Sequence, residues 1–274
     1  RALYAHTHEP IAFEALRGKR VAVLGAGASA FDNAACALEA GAAAVGLFFR
    51  RAELVRVNPY RWAEFVGFLK HHGDLADAER WRFARQILVM GQLPPADTFA
   101  RATAHRAFRL HPGEPWTSVR AEGREVVIHT PRGVHRVDYV IVGAGFTTDL
   151  TLRPELAELA PHIALWRDRY TPPPGLEHDE LSRHPYLGPG FELQEREPGT
   201  APYLGSVFHF TFGCLPSLGF GGASISGMKY GLPRVIAGVT RRLYRDDAEH
   251  HFASLAAYDA PELPPTHTGG GGAP

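Results

Sequence analysis

The chain has 274 residues, with 29 basic and 29 acidic side chains and no formal net charge at pH 7. That balance gives no field to draw it to nucleic acid or to a membrane surface, and no run of about 20 apolar residues could serve as a membrane span. The two cysteines, Cys36 and Cys214, lie far apart, which excludes a disulfide framework, a cysteine zinc site and a dithiol redox pair.

The length allows two modest domains, and 29 glycines with 22 prolines imply many turns. No signal peptide opens the chain, so a cytoplasmic location is expected. Residues 1–18 read as a polar linker with a turn near Leu16-Arg17-Gly18-Lys19. Fifteen histidines are scattered without metal-ligand spacing, and no metal is expected.

Arg20-Val21-Ala22-Val23-Leu24 reads as an apolar strand, Gly25-Ala26-Gly27 as a turn, and Ala28-Ser29-Ala30-Phe31-Asp32 as the start of an Ala-rich helix that stops at Gly41. A second strand, Ala44 to Phe49, ends in Arg50-Arg51. This is the first βαβ half of a dinucleotide-binding fold. Gly25 permits the tight turn, Gly27 lets a pyrophosphate approach the backbone, and Ala30, in place of a third glycine, keeps the helix close to the strand. The helix N-terminus then faces the phosphates. An NAD site places Asp or Glu at the end of the second strand. Arg50 and Arg51 stand there instead, and guanidinium groups pair well with a 2′-phosphate, which favours NADPH.

Residues 53–110 read as a helical insertion, with Trp62, Phe65, Val66, Phe68 and Leu69 and then Trp81, Phe83, Ile87, Leu88 and Val89 at helical spacing. The aromatic stripe is read as core. Glu125–Thr130 and Val134–Val137 form a β-hairpin, and Asp138 to Val142 an apolar strand that ends in a glycine turn, Gly143-Ala144-Gly145. Residues 166–206 are loop-rich, and so long an irregular stretch is uncommon unless it covers something. Val207 to Phe212 reads as a buried strand, and a helix is expected from about Ile225 to Tyr244, broken early by Gly231 and Pro233.

Three of these stretches resemble the two-dinucleotide-domain flavoprotein monooxygenases, that is, the flavin-containing and Baeyer–Villiger monooxygenases and their N-hydroxylating relatives. Gly18-Lys19-Arg20-Val21 with Gly25-x-Gly27-x-Ser29-Ala30-x-Asp32 is similar to their NADPH motif. Asp138 to Phe146 is similar to the strand and turn that re-enter the FAD domain, with Ala144 where that turn has Thr. Gly222-Ala223-Ser224 to Gly231 is similar to the loop and helix that lie along the flavin. His6 stands where the family's FxGxxxH has its histidine, although Ala2 replaces the glycine and the phenylalanine would precede Arg1.

The resemblance implies an α/β architecture in which residues 19–147 are a Rossmann-like NADPH-binding domain, 148–260 the C-terminal part of an FAD-binding domain and 261–274 a disordered tail. The N-terminal half of the FAD domain is then absent from this chain, and the parent protein is expected to hold FAD. The implied activity is flavin reduction by NADPH, O₂ activation and oxygen transfer to a small organic substrate. The alternative is an NADPH-binding fragment or remnant without turnover of its own. The implied cofactor-binding residues are Gly25, Ala26, Gly27, Ala28, Ser29, Ala30, Asp32, Arg50, Arg51, Gly143, Ala144, Gly145, Gly222, Ala223 and Ser224. No catalytic acid or base stands out, because the cofactor carries the hard chemistry.

Overall fold

Among the described residues, eight strands divide into two sheets. Five parallel strands take part in the first: β1 (Tyr4–His6), β2 (Arg20–Leu24), β3 (Ala44–Phe49), β4 (Phe108–Pro112) and, last in the chain, β8 (Tyr139–Val142). Between β4 and β8 the chain forms an antiparallel sheet of β5 (Ser118–Glu122), β6 (Glu125–Thr130) and β7 (Gly133–Val137). The computed structural model describes residues 3–222 and 224–263, so Ala223 and the tail from residue 264 lie outside the described residues.

The parallel sheet runs in the order β1-β8-β2-β3-β4. The central strands β8, β2 and β3 are almost wholly apolar because both faces are covered, whereas the edge strands β1 and β4 carry polar residues. Side chains alternate between faces with period two. Val21, Val23, Val45, Leu47, Phe49 and Ile141 pack under the helix α1 (Ala28–Glu39), against its Phe31, Ala34 and Leu38. Ala22, Phe48 and Val140 point the other way, onto Val126, Ile128 and Val137 of the antiparallel sheet. Arg20 ties the two sheets at one end, reaching Asp138 at 2.7 Å and Glu125 at 2.6 Å. Its hydrogen bonds hold the Asp138 carboxyl below the usual carboxylate range.

The segment expected as a linker differs from that reading. Residues 4–6 form β1, in register with β8 (Tyr4 beside Val140), and Leu16 is buried in the core. Three residues are too few to show a periodicity, so the strand depends on the open edge of β8 rather than on its own pattern.

The insertion carries α2 (Pro59–Trp62), α3 (Val66–His71), α4 (Asp77–Met90) and α5 (Ala96–Thr103). Its stripe is core on one side only. Phe68, Leu69, Trp81 and Ile87 are buried, whereas Trp62 and Phe65 are about half exposed. Short helices α6 (Trp166–Arg169), α7 (Asp179–Ser182) and α8 (Leu215–Leu218) punctuate the loop-rich second part. Arg80 of α4 joins the insertion to that part. It contacts Asp77, donates to the Ser217 carbonyl (3.1 Å) and to Tyr186 Oη (3.1 Å), and lies 5.2 Å over the Trp166 ring.

The expected buried strand over 207–212 does not form. Phe208 makes an isolated bridge to Glu192, and a 3₁₀ turn begins at Phe212. The apolar run is accommodated by packing, with Val207 and Phe210 against a buried cluster around Phe191 and Leu204. The last two helices are α9 (Ile225–Asp246) and α10 (Ala248–Ala256). Gly231 and Pro233 do not break α9, which runs through both. Its glycines serve close approach instead. A Cβ on Gly227 would lie 2.2 Å from the Phe220 carbonyl oxygen, one on Gly231 2.2 Å from that of Gly221, and one on Gly238 2.9 Å from that of Gly190.

Two stability effects are expected. Gly231→Ala should destabilise the chain by about 1–3 kcal/mol, because the obstacle is backbone and cannot swing aside. A melt indistinguishable from that of the parent would refute the close approach. The second concerns His72, His184 and His209, each pushed down by burial from 6.5 to about 4. As pH falls below 6.5 the unfolded chain takes up protons that the folded chain refuses, so stability present at neutral pH is lost between 6.5 and about 4. The slope should reach about 1.4 kcal/mol per pH unit for each histidine. Thermal midpoints measured across that window test it, and His184→Gln should flatten the profile.

Candidate nucleotide-binding site

The strand order reverses between β2 and β8, since β3 and β4 follow β2 on one side while β8 and β1 lie on the other. Ligands of open α/β sheets bind at such a switch point, beyond the carboxyl ends of the strands. Both glycine turns meet there. Gly143 N–H donates to the Leu24 carbonyl at 2.7 Å. Gly25 has φ +118°, and a Cβ on it would sit 2.0 Å from the Gly143 carbonyl oxygen. Gly143 is hemmed in turn, since its Cβ would lie 3.0 Å from that of Ala30, which is fully buried on α1. Gly27 differs from both. It has extended backbone at the N-cap of α1, and a Cβ there would meet nothing within 4 Å. No side chain caps α1, so its first amides are left for another acceptor.

The space above Gly27 is a cleft of about 540 Å³. Of the sequence-predicted residues it brings together Gly25, Ala26, Gly27, Arg50, Arg51, Gly143, Ala144 and Gly145. The second glycine turn therefore shares the first turn's cleft. Trp116, Leu88 and Gln92 also line it. Sequence reasoning had no signal for Trp116, which follows the unpredicted strand β4, and its Nε1 is buried with no partner among the described residues.

The two arginines divide. Arg51 donates to the carbonyls of Val89 (2.8 Å) and Met90 (3.3 Å), closing the C-terminus of α4. Arg50 is exposed and makes no side-chain hydrogen bond among the described residues.

The remaining predicted residues lie elsewhere. Ala28 and Ala30 belong to the first turn of α1 without lining the cleft, and Ser29 is exposed, its carbonyl accepting from Asn33 at 2.8 Å. Asp32 points away, to Arg101 of α5 at 2.9 Å, which also binds Glu39 at 2.8 Å. Gly222 is held by the protein itself, since a Cβ would lie 3.1 Å from Thr211 N and 3.2 Å from Cys214 Sγ. Ser224 caps α9 by accepting from Gly227 N–H at 2.9 Å. Ala223, predicted with them, lies outside the described residues.

The scattered histidines also contain one spatial group that spacing did not reveal. His111, Glu114 and His135 offer ligand atoms within 4.8 Å of one another. Burial pushes the Glu114 carboxyl up, but hydrogen bonds from His111, Thr130 and His135 outweigh it, and the group sits below the usual carboxylate range.

No family model matches the chain. It is 45% identical over 260 residues to an FAD-dependent urate hydroxylase of Xanthomonas campestris pv. campestris, covering 95% of this chain and 55% of that protein. Among solved structures it is similar to the FAD-bound cadaverine monooxygenase of desferrioxamine biosynthesis from Erwinia amylovora (TM-score 0.59, 13% identity, 87% of this chain and 55% of that one). It is also similar to L-lysine 6-monooxygenase from Pseudomonas syringae (TM-score 0.58, 16% identity, 87% and 58%) and to an ornithine hydroxylase from Pseudomonas aeruginosa (TM-score 0.56, 15% identity, 89% and 56%). At these identities the structural likeness speaks for the fold alone. The chain spans a little over half the length of each of these relatives. In sequence the chain is similar to part of an FAD-dependent hydroxylase, and in fold to part of each of these three solved enzymes.

Proposed function

We propose that this chain is the NADPH-binding portion, with part of the flavin-binding portion, of an FAD- and NADPH-dependent oxidoreductase that transfers oxygen from O₂ to a small organic substrate. The observation that carries the reading is the cleft at the switch point, where Gly27 leaves an open cradle beside the uncapped N-terminus of α1 and Arg50, with no side-chain partner among the described residues, stands at the rim. The relative with 45% identity is an FAD-dependent hydroxylase, which supports FAD as the second cofactor. FAD, when bound, would supply the oxygen activation.

The chain's own residues bind and orient. The amides from Ala26 to Ala30 take the pyrophosphate, where the helix dipole favours negative charge. Arg50 pairs with the 2′-phosphate, Trp116 and Leu88 wall the cleft against water, and Gly143-Ala144-Gly145 closes its far side. In this reading residues 19–147 hold the nucleotide and 148–260 contribute to the flavin site.

Arg50→Ala should weaken NADPH binding by about 1.5–3 kcal/mol, the worth of a charge-assisted contact, and leave NADH almost unchanged. Arg51→Ala should instead lower the melting temperature, because it releases the C-terminus of α4. An equal loss of both nucleotides in Arg50→Ala would sink the assignment. Gly27→Val should abolish nucleotide binding in a chain that still folds, since its side chain enters open space. Undiminished NADPH binding by that variant would place the site elsewhere.

A second reading, a nucleotide-binding chain without turnover of its own, is favoured by the filled position at Gly222. Supplying FAD and NADPH to the chain separates the two. Flavin absorbance that stays with the protein, together with NADPH oxidation, supports the enzyme. NADPH binding with neither supports the second reading.

A further inference from the structure

At the seam between the two sheets, one buried carboxylate faces two imidazoles. His111 lies on β4, Glu114 three residues on, and His135 on β7. Glu114 Oε1 is 3.0 Å from His111 Nδ1, and Oε2 is 3.0 Å from His135 Nε2. The Glu114 side chain is only 7% exposed, and among the described residues no Lys or Arg pairs with it. A buried carboxylate is costly unless a cation or a full set of hydrogen bonds compensates it.

The groups around it are held in place. The His111 ring stacks on Phe48 at 4.1 Å, and its far edge lies over Gly46, where a Cβ would come within 3.2 Å of Nε2. The His135 ring stands edge-on to Phe48 at 4.8 Å and at 80° to His111. Thr130 Oγ1 donates to Glu114 Oε2 at 2.9 Å. Fixed rings and a hydrogen-bonded carboxylate are the outer support that metal ligands have.

We propose that His111, Glu114 and His135 bind a divalent transition-metal ion of the zinc class between the two sheets. Two imidazole nitrogens and one carboxylate make a set that suits zinc, cobalt or nickel and disfavours magnesium and calcium. Ligand bonds of about 2.0–2.2 Å put neighbouring ligand atoms roughly 3.4 Å apart, so on binding the two 3.0 Å contacts open by a few tenths of an ångström and the wider separations, which lie within 4.8 Å, close by side-chain rotation. Each imidazole binds as the neutral ring, with its proton on the nitrogen facing away. The histidine side chains are 23% and 27% exposed, so water reaches the remaining positions. The ion pins β7 to the end of β4 and so fixes the chain just before Pro115 and Trp116, which line the nucleotide cleft. The site depends on neither the flavin nor the nucleotide reading.

The test uses the full chain, stripped with a chelator, at neutral pH. Zn²⁺ is titrated against a chromophoric competitor, Co²⁺ is followed by its visible absorption, and melting temperature is read with each ion and with Mg²⁺. One equivalent of Zn²⁺ is expected, with a raised melting temperature, and none of Mg²⁺. His111→Ala and His135→Ala should each weaken binding by about 100-fold or more, and Thr130→Val by about tenfold, whereas the double change His250→Ala, His251→Ala should leave it intact. If His111→Ala fails to fold, His135→Ala and the Co²⁺ spectrum decide. Absence of zinc binding tighter than about 0.1 mM, well short of structural zinc sites, would overturn the proposal. So would binding that survives both ligand changes and disappears with His250 and His251. Either result leaves a carboxylate satisfied by hydrogen bonds alone.

Discussion

The contact on which the rest depends is between two backbones. The carbonyl of Gly143 occupies the volume that a side chain on Gly25 would need, and Ala30 occupies the volume that a side chain on Gly143 would need. No larger residue fits at Gly25 without moving the turn after β8, and one at Gly143 would push α1 off the sheet by a few tenths of an ångström. Because the turns after β2 and β8 interlock, α1 lies close against the sheet and its N-terminus opens at the switch point. The cleft follows from that placement. So does the parallel addition of β1, since β8 is held tight on one edge and leaves the other free.

The first half of this arrangement was legible in the sequence because it is local. Strand, glycine turn, Ala-rich helix and second strand follow within 30 residues, and their apolar runs have the lengths such a unit needs. The second half is a contact between residues 118 positions apart (143 − 25), and nothing in Gly143-Ala144-Gly145 says which turn it will meet. Elements that depend on a distant partner were lost for the same reason. β1 is three residues completed by β8, and β4 carries a polar His111 and ends in Pro112. Val207 to Phe212 misled in the other direction, because an apolar run shows that a segment packs but not in what conformation, and here Val207, Phe208, Phe210 and Phe212 end half-buried.

The small residues near the start of α9 show a related ambiguity. A run of glycine and serine before a helix suits a flat ligand, and it equally suits a backbone that must touch another backbone. Here Gly221 meets Gly231, Gly227 meets Phe220 and Gly190 meets Gly238. That network accounts for the glycines within the chain, and Ser224 is accounted for by the cap of α9. Composition alone could not separate these causes, since both select against a Cβ.

The two adjacent arginines carry the ambiguity into the site itself. Sequence spacing treats Arg50 and Arg51 as one anion-binding pair, yet both lie in the bend that follows β3, where only Arg51 reaches a hydrogen-bond partner among the described residues. Arg51 turns to the last carbonyls of α4, where a helix dipole favours a cation. That bond brings the insertion onto the strand end, so that Leu88 and Gln92 become a wall of the cleft. Arg80 anchors the other end of the same helix beneath Tyr186 and Trp166. With α4 fixed at both ends, the cleft is bounded on the insertion side without a contribution from the ligand. Arg50, left with no partner among the described residues, is the cation that a phosphate entering the cleft would meet at its rim.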